Sequence, residues 1–269
     1  MRLFIKGLAS DFVKGNSDRA VVFLPGWTGT RYSPQRAFVL ACDYANKKEI
    51  STMRFDFNGR GDSEGKVLDT TIDMMIDNAV TIIEWLVTEQ GIKHIHLIGL
   101  CSGGNIALGA AGMPSCAKYI EKITCWSLLP FMEDKEKAKG QGTNRFKRFK
   151  ELVIKLFSKE GFSKLIRREA NIKSALQNVA KDKEGDKNEK KRKTSVRKIL
   201  NDVSRHYTGD IHLVFGTKDP EAAGSELFYR EWFDRNHKKH KITKIKGAPH
   251  NFYTAHWTEE LIEKTLGDL

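Results

Sequence analysis

No stretch of this 269-residue chain approaches the roughly 18 consecutive apolar residues of a membrane-spanning helix. The N-terminal Met1-Arg-Leu-Phe-Ile-Lys-Gly holds one short apolar patch before a charge, so neither export nor membrane spanning is expected. Cysteine is scarce: Cys42, Cys101, Cys116 and Cys125 contain no C-x-x-C pair. That is too sparse for a disulfide scaffold or a structural zinc site, and free thiols in a reducing, cytoplasmic setting are the expectation. Asp43, Asp56 and Asp62 form no ligand cluster with histidines, so no metal or other cofactor is expected. No Lys-Ser/Thr follows the glycines of Asn58-Gly-Arg-Gly-Asp-Ser-Glu-Gly65 at P-loop spacing, which leaves them as a structural turn rather than a phosphate cradle. Zinc-finger and RNP-type motifs are absent, and with them the case for specific nucleic-acid binding. Internal repeats are absent too, and there is no proline between Phe131 and Asp219.

What is present begins with charge. The formal net charge is +12, and it is not spread evenly. Residues 135–206 hold 23 lysines and arginines against 9 aspartates and glutamates, whereas the rest of the chain holds 23 against 25. The basicity therefore belongs to one segment, which suits an anionic substrate, an acidic partner protein or a membrane surface.

Outside that segment, strand and helix patterns alternate. Residues 2–14 read as a marginal β-hairpin, and Ala20-Val-Val-Phe-Leu24 reads as a strand buried on both faces. Ser33-Pro34 has the form of an N-cap followed by proline at the first helical position, which predicts a helix from there to about Asn46. Ser51–Phe57 alternates like a strand. From Thr70 to about Glu89, Met75, Ile76, Ala79, Ile83, Leu86 and Val87 recur at three- and four-residue steps, describing an amphipathic helix that stops near Gly91. Ile95–Ile98, Ile123–Leu129, Ile211–Phe215 and Lys241–Ile245 read as further strands, with helices following to about Met113, over Glu221 to about Asn236, and over 254–267. Such alternation implies a mostly parallel sheet of about eight strands with helices on both faces. Residues 1–130 and 207–269 would form this α/β core, and 131–206 a basic helical lid inserted between two strands. Within the lid, Phe146, Phe149, Leu152, Val153, Leu156 and Phe157 mark one face of a basic helix, and residues 181–193 contain no apolar residue and read as a solvated loop. The helix suits a cover over the site, a membrane-surface helix, or a docking face for an acidic partner such as an acyl-carrier protein.

The chemistry concentrates after strand ends. Gly99 and Gly103 flank Cys101 where a strand turns sharply into a helix, a spacing that holds a side chain at the tip of a strained turn. In a parallel sheet, loops after the carboxyl ends of strands gather on one edge. Pro25-Gly26-Trp27 brings backbone amides there, Gly99–Gly103 a thiol, Gly216–Asp219 a carboxylate and Gly247–His250 an imidazole. Glu133 and Asp134 are rival positions for the acid, and Ser102 is a rival nucleophile whose side chain should point away from the histidine loop.

These residues carry a resemblance. Gly99-Leu-Cys-Ser-Gly-Gly104 resembles the nucleophile elbow of the α/β-hydrolase superfamily, Leu24-Pro-Gly-Trp27 its oxyanion loop, and Asp56-Phe-Asn-Gly-Arg-Gly-Asp-Ser63 the turn common after the next strand. Val214-Phe-Gly-Thr-Lys-Asp-Pro220 and Gly247-Ala-Pro-His250 resemble its acid and histidine loops. The lidded layout is similar to lipase-like, serine-aminopeptidase-like and exosortase-associated hydrolases. The cysteine at the elbow, where most relatives carry serine, is similar to dienelactone hydrolases and polyhydroxyalkanoate synthases. The resemblance implies an α/β-hydrolase fold and a triad of Cys101, His250 and Asp219, with an oxyanion hole from the backbone amides of Trp27 and Ser102. The expected substrate is a small acyl ester or thioester, cleaved through an acyl-enzyme. Transfer of the acyl group from a CoA or carrier-protein thioester to another acceptor, and non-catalytic binding on a hydrolase scaffold, remain open alternatives.

Overall fold

The computed structural model describes residues 2–129, 199–220, 222 and 224–269. All belong to the unit formed by Met1–Phe131 and Ser195–Leu269. The basic helix around Phe146–Phe157, the loop 181–193, Glu133 and Asp134 lie outside the described residues.

The chain opens with β1 (Arg2–Ile5) and β2 (Leu8–Val13), an antiparallel hairpin whose Lys6-Gly7 turn has positive φ at both residues, as two-residue hairpins require. Six more strands follow: β3 (Arg19–Leu24), β4 (Ser51–Phe55), β5 (His94–Leu100), β6 (Ile120–Trp126), β7 (Asp210–Gly216) and β8 (His240–Ile245). They form one sheet in the order β1-β2-β4-β3-β5-β6-β7-β8, parallel from β4 to β8. The order reverses around β3, so the loops after β3 and β5 meet at one edge.

Strand periodicity of two divides the core. Ala20, Val22 and Leu24 of β3 with Ile95 and Leu97 of β5 face one layer; Val21, Phe23, Ile98 and Leu100 face the other. The first layer is covered by α2 (Ile72–Gln90), α3 (Ser102–Ala111), α4 (Pro114–Ala117), the helical residues 199–206 (α5) and α6 (Ser225–Arg235). The second is covered by α1 (Ala37–Asn46) and α7 (Ala255–Leu266). With α5 come Ile199, Leu200 and Val203, all buried in the first layer, so these residues of the segment assigned to the lid by sequence pack in the core. Thr71 caps α2 by accepting the Met74 amide at 3.2 Å, and Gly91 ends it in the left-handed conformation.

One start differs from expectation. Ser33 has φ 63° and makes no side-chain cap; Pro34–Arg36 is a 3-10 turn, and α1 begins only at Ala37. The cause lies in Arg31, which is 1% exposed. Its backbone amide donates to Asp56 at 2.6 Å, and its guanidinium bonds both Asp56 and Asp11, pinning the loop before any helix can form. Likewise α6 starts at Ser225, later than the sequence pattern suggested.

Candidate active site

Cys101 stands between the last residue of β5 and the first of α3 with φ 58° and ψ −125°, a conformation that non-glycine residues avoid. The turn holds it there by backbone packing. A Cβ on Gly99 would lie 2.3 Å from the Gly103 carbonyl carbon, and one on Gly103 would lie 2.1 Å from the Leu24 carbonyl oxygen. Only glycine allows strand, helix and the neighbouring β3 exit to approach this closely. The Cys101 amide donates to the Trp126 carbonyl at 2.8 Å, which ties the elbow to β6. Its side chain remains partly exposed, whereas Cys42, Cys116 and Cys125 are buried.

The loop after β3 runs beside this thiol. A Cβ on Gly26 would lie 3.3 Å from the Cys101 Cβ and 3.8 Å from its Sγ. Trp27, the next residue, is thereby brought to the elbow, where Ser102 already sits as the first residue of α3. The Ser102 hydroxyl is buried.

From the far strands come the acid and the imidazole. His250 Nδ1 donates to Asp219 Oδ2 at 2.9 Å. The two loops are laced together: the Lys218 amide donates to the Ala248 carbonyl at 2.9 Å and the Gly247 amide to Thr217 Oγ1 at 2.8 Å. Burial would raise the Asp219 carboxyl, but the bonds from His250 and from the Ala222 amide at 3.1 Å, with the neighbouring Ser127 hydroxyl, hold it below its ordinary value. Burial would likewise lower the His250 imidazole. The Asp219 carboxylate and then Cys101 outweigh it and push it up to about 10. Cys101, His250 and Asp219, more than 30 residues apart pairwise, are thus one interacting chain of side chains. By contrast, burial pushes the Cys42 thiol up to about 12 and raises Cys116 and Cys125 as well, which makes them poor nucleophiles.

Two residues here escaped the sequence reading. Ser127 follows β6 with φ 49° and supports Asp219, and Arg60 bonds the Trp27 carbonyl at 2.7 Å. Both were visible only as members of a strand end and a glycine turn, since their partners are remote in sequence. Among the described residues no group of three or more His, Cys, Asp or Glu is arranged to hold a metal ion.

This combination of sheet order, elbow and loops has a counterpart among known families. A family model for the alpha/beta hydrolase fold matches residues 19–211. The chain belongs to the α/β-hydrolase fold family. No curated protein sequence matches this α/β hydrolase. Among solved structures it is similar to Est1E from Butyrivibrio proteoclasticus with ferulic acid bound, at 18% identity and TM-score 0.62, covering 99% of this chain and 98% of that one. It is also similar to dienelactone hydrolase from Anabaena variabilis, at 13% identity and TM-score 0.61, over 98% and 93% of the two chains. A monoacylglycerol lipase from Paleococcus ferrophilus matches at 17% identity and TM-score 0.61, over 97% of each chain. At these identities what is shared is the fold.

Proposed function

We propose that this α/β hydrolase cleaves carboxylic ester or thioester bonds, with Cys101 as nucleophile, His250 as acid and base, and Asp219 as the group that orients and charges the imidazole. The single observation that supports it is His250, bonded to Asp219 on one side and raised to about 10 partly by Cys101 on the other. An imidazole so placed takes the thiol proton, and the resulting thiolate attacks the acyl carbon. The tetrahedral oxyanion is met by the backbone amides of Trp27 and Ser102, the second at the start of α3, whose dipole favours negative charge. As the intermediate collapses, the carbon–oxygen or carbon–sulfur bond breaks, and His250 returns its proton to the departing alcohol or thiol. Water then attacks the thioester with His250 as base, releasing the acid and restoring the thiol. The similar structures include an esterase with ferulic acid bound, a dienelactone hydrolase and a monoacylglycerol lipase, and the ester class is carried from them to this chain as part of the proposal. The basic segment 135–206 would give an anionic acyl carrier or a membrane surface somewhere to bind.

The test compares wild type with Cys101→Ala on a p-nitrophenyl ester and an acyl-CoA. Turnover by wild type, with at least a 10³-fold loss on substitution, is the expected result. Equal activity in the two proteins, or none in wild type on either class of substrate, would overturn the proposal.

A further inference from the structure

Arg31 and Arg60 are both buried arginines beside the oxyanion loop, and they are treated very differently. Arg31, on the loop after β3, is matched by three carboxylates, Asp11, Asp56 and Asp62. Arg60, on the loop after β4, is 6% exposed and pairs with no carboxylate among the described residues. Its Nη2 is buried and has no partner among them either. Its side chain meets Trp27 in two ways. Its Nε donates to the Trp27 carbonyl at 2.7 Å, and its guanidinium carbon lies 5.2 Å from the centre of the Trp27 ring.

Burying a guanidinium without a counter-charge carries a large desolvation cost, and an apolar side chain of similar volume is often neutral or better for stability. Stability alone therefore does not account for Arg60. Its grip does have a geometric consequence. The Gly26 carbonyl accepts the Gly29 amide at 2.9 Å, closing a tight turn. In a trans peptide the N–H points opposite the carbonyl, so that bond also fixes the direction of the Trp27 N–H. Arg60 holds the peptide on the other side of Trp27, and between them the two bonds lock the residue. Gly26, next in the chain, lies against Cys101.

We infer that Arg60 is the positioning residue of the oxyanion loop: it clamps Trp27 by carbonyl and ring so that the Trp27 amide keeps its place beside Cys101. The inference rests on the Cys101 mechanism above, and its failure is separable from the failure of that mechanism.

Two reactions of Cys101 distinguish the role. Acylation by a p-nitrophenyl ester passes through an oxyanion; alkylation by iodoacetamide does not. Arg60→Met should acylate about 10²-fold more slowly, with the loss in kcat rather than KM, because displaced transition-state groups cost rates of that order. Its alkylation rate and pH profile should match wild type, and its urea midpoint should stay the same or rise. Arg60→Lys, which keeps one donor for the Trp27 carbonyl, should recover part of the lost acylation. Acylation within about threefold of wild type in Arg60→Met overturns the inference while leaving the mechanism intact. So does a parallel loss of stability, alkylation and acylation with no rescue by lysine, which marks a scaffold residue. Absence of acylation in wild type itself overturns both.

Discussion

His250 carries a large electrostatic consequence for one residue. Because its pKa is pushed up to about 10, the folded protein holds a proton there that the unfolded chain, with an ordinary value near 6.5, releases. The stabilisation is fully present below about pH 6.5 and is lost as pH rises through 10. Asp219→Asn removes the first of the raising groups. The His250 titration followed by NMR should then fall by more than one pH unit, and ester turnover should drop by about 10² to 10⁴. A titration that stays near 10 in the variant would mean that Asp219 is not what charges the ring. Cys101, Asp219 and His250 stood out in the sequence as candidates because each lies in a short local pattern, a glycine-flanked tip or a glycine turn after an apolar strand. Ser127 and Arg60 did not, since what makes them matter is a carboxylate or a carbonyl supplied by a different loop.

Between β5 and α3 the elbow is made by close approach of backbone rather than by side-chain bonds. Gly103→Ala places a methyl group 2.1 Å from the Leu24 carbonyl oxygen and 2.7 Å from that of Pro25. Neither oxygen can retreat without disturbing β3, so the variant should lose about 2 kcal/mol or more of stability in urea unfolding. A change below 0.5 kcal/mol, within the ordinary spread of surface substitutions, would show that the turn is more yielding than the geometry implies. A second anchor lies behind it. Tyr229 of α6 donates to Asn105 of α3 at 2.7 Å, and Asn105 and Ser225 donate to the Leu129 and Leu128 carbonyls, fixing the chain as it leaves β6. Strand positions were legible because an apolar run of period two is a local signal. The start of α1 was not: Ser33-Pro34 has the residues of a helix start, but the burial of Arg31 against Asp56 overrides them.

Across the molecule, the sheet carries a polar row beneath its second layer. His96 of β5 bonds Thr124 of β6 at 2.7 Å, and His212 of β7 bonds Thr243 of β8 at 2.8 Å. Burial, followed by the Lys122 ammonium, pushes His212 down to about 4 and His96 well below its ordinary value. Both resist protonation in the fold, so stability falls as pH drops below about 6.5, for His212 down toward about 4, the opposite direction to His250. His212→Gln should flatten the acid side of the stability curve by about 1 to 3 kcal/mol between pH 7 and 4.5, measured by urea unfolding; an unchanged acid limb would assign the loss elsewhere. The α/β order, the mostly parallel sheet and its two helical layers were legible from alternation alone, whereas the histidine–threonine row depends on strand neighbours that are far apart in the chain. Above these supports stands the claim that an acyl group passes through Cys101. The most direct measurement is peptide mass spectrometry of wild type quenched in acid during turnover of an activated ester. An acyl group on the peptide carrying Cys101, absent from those carrying Cys42, Cys116 and Cys125, is the expected result. Turnover with an unmodified Cys101, or with the acyl group on Ser102 instead, would contradict it.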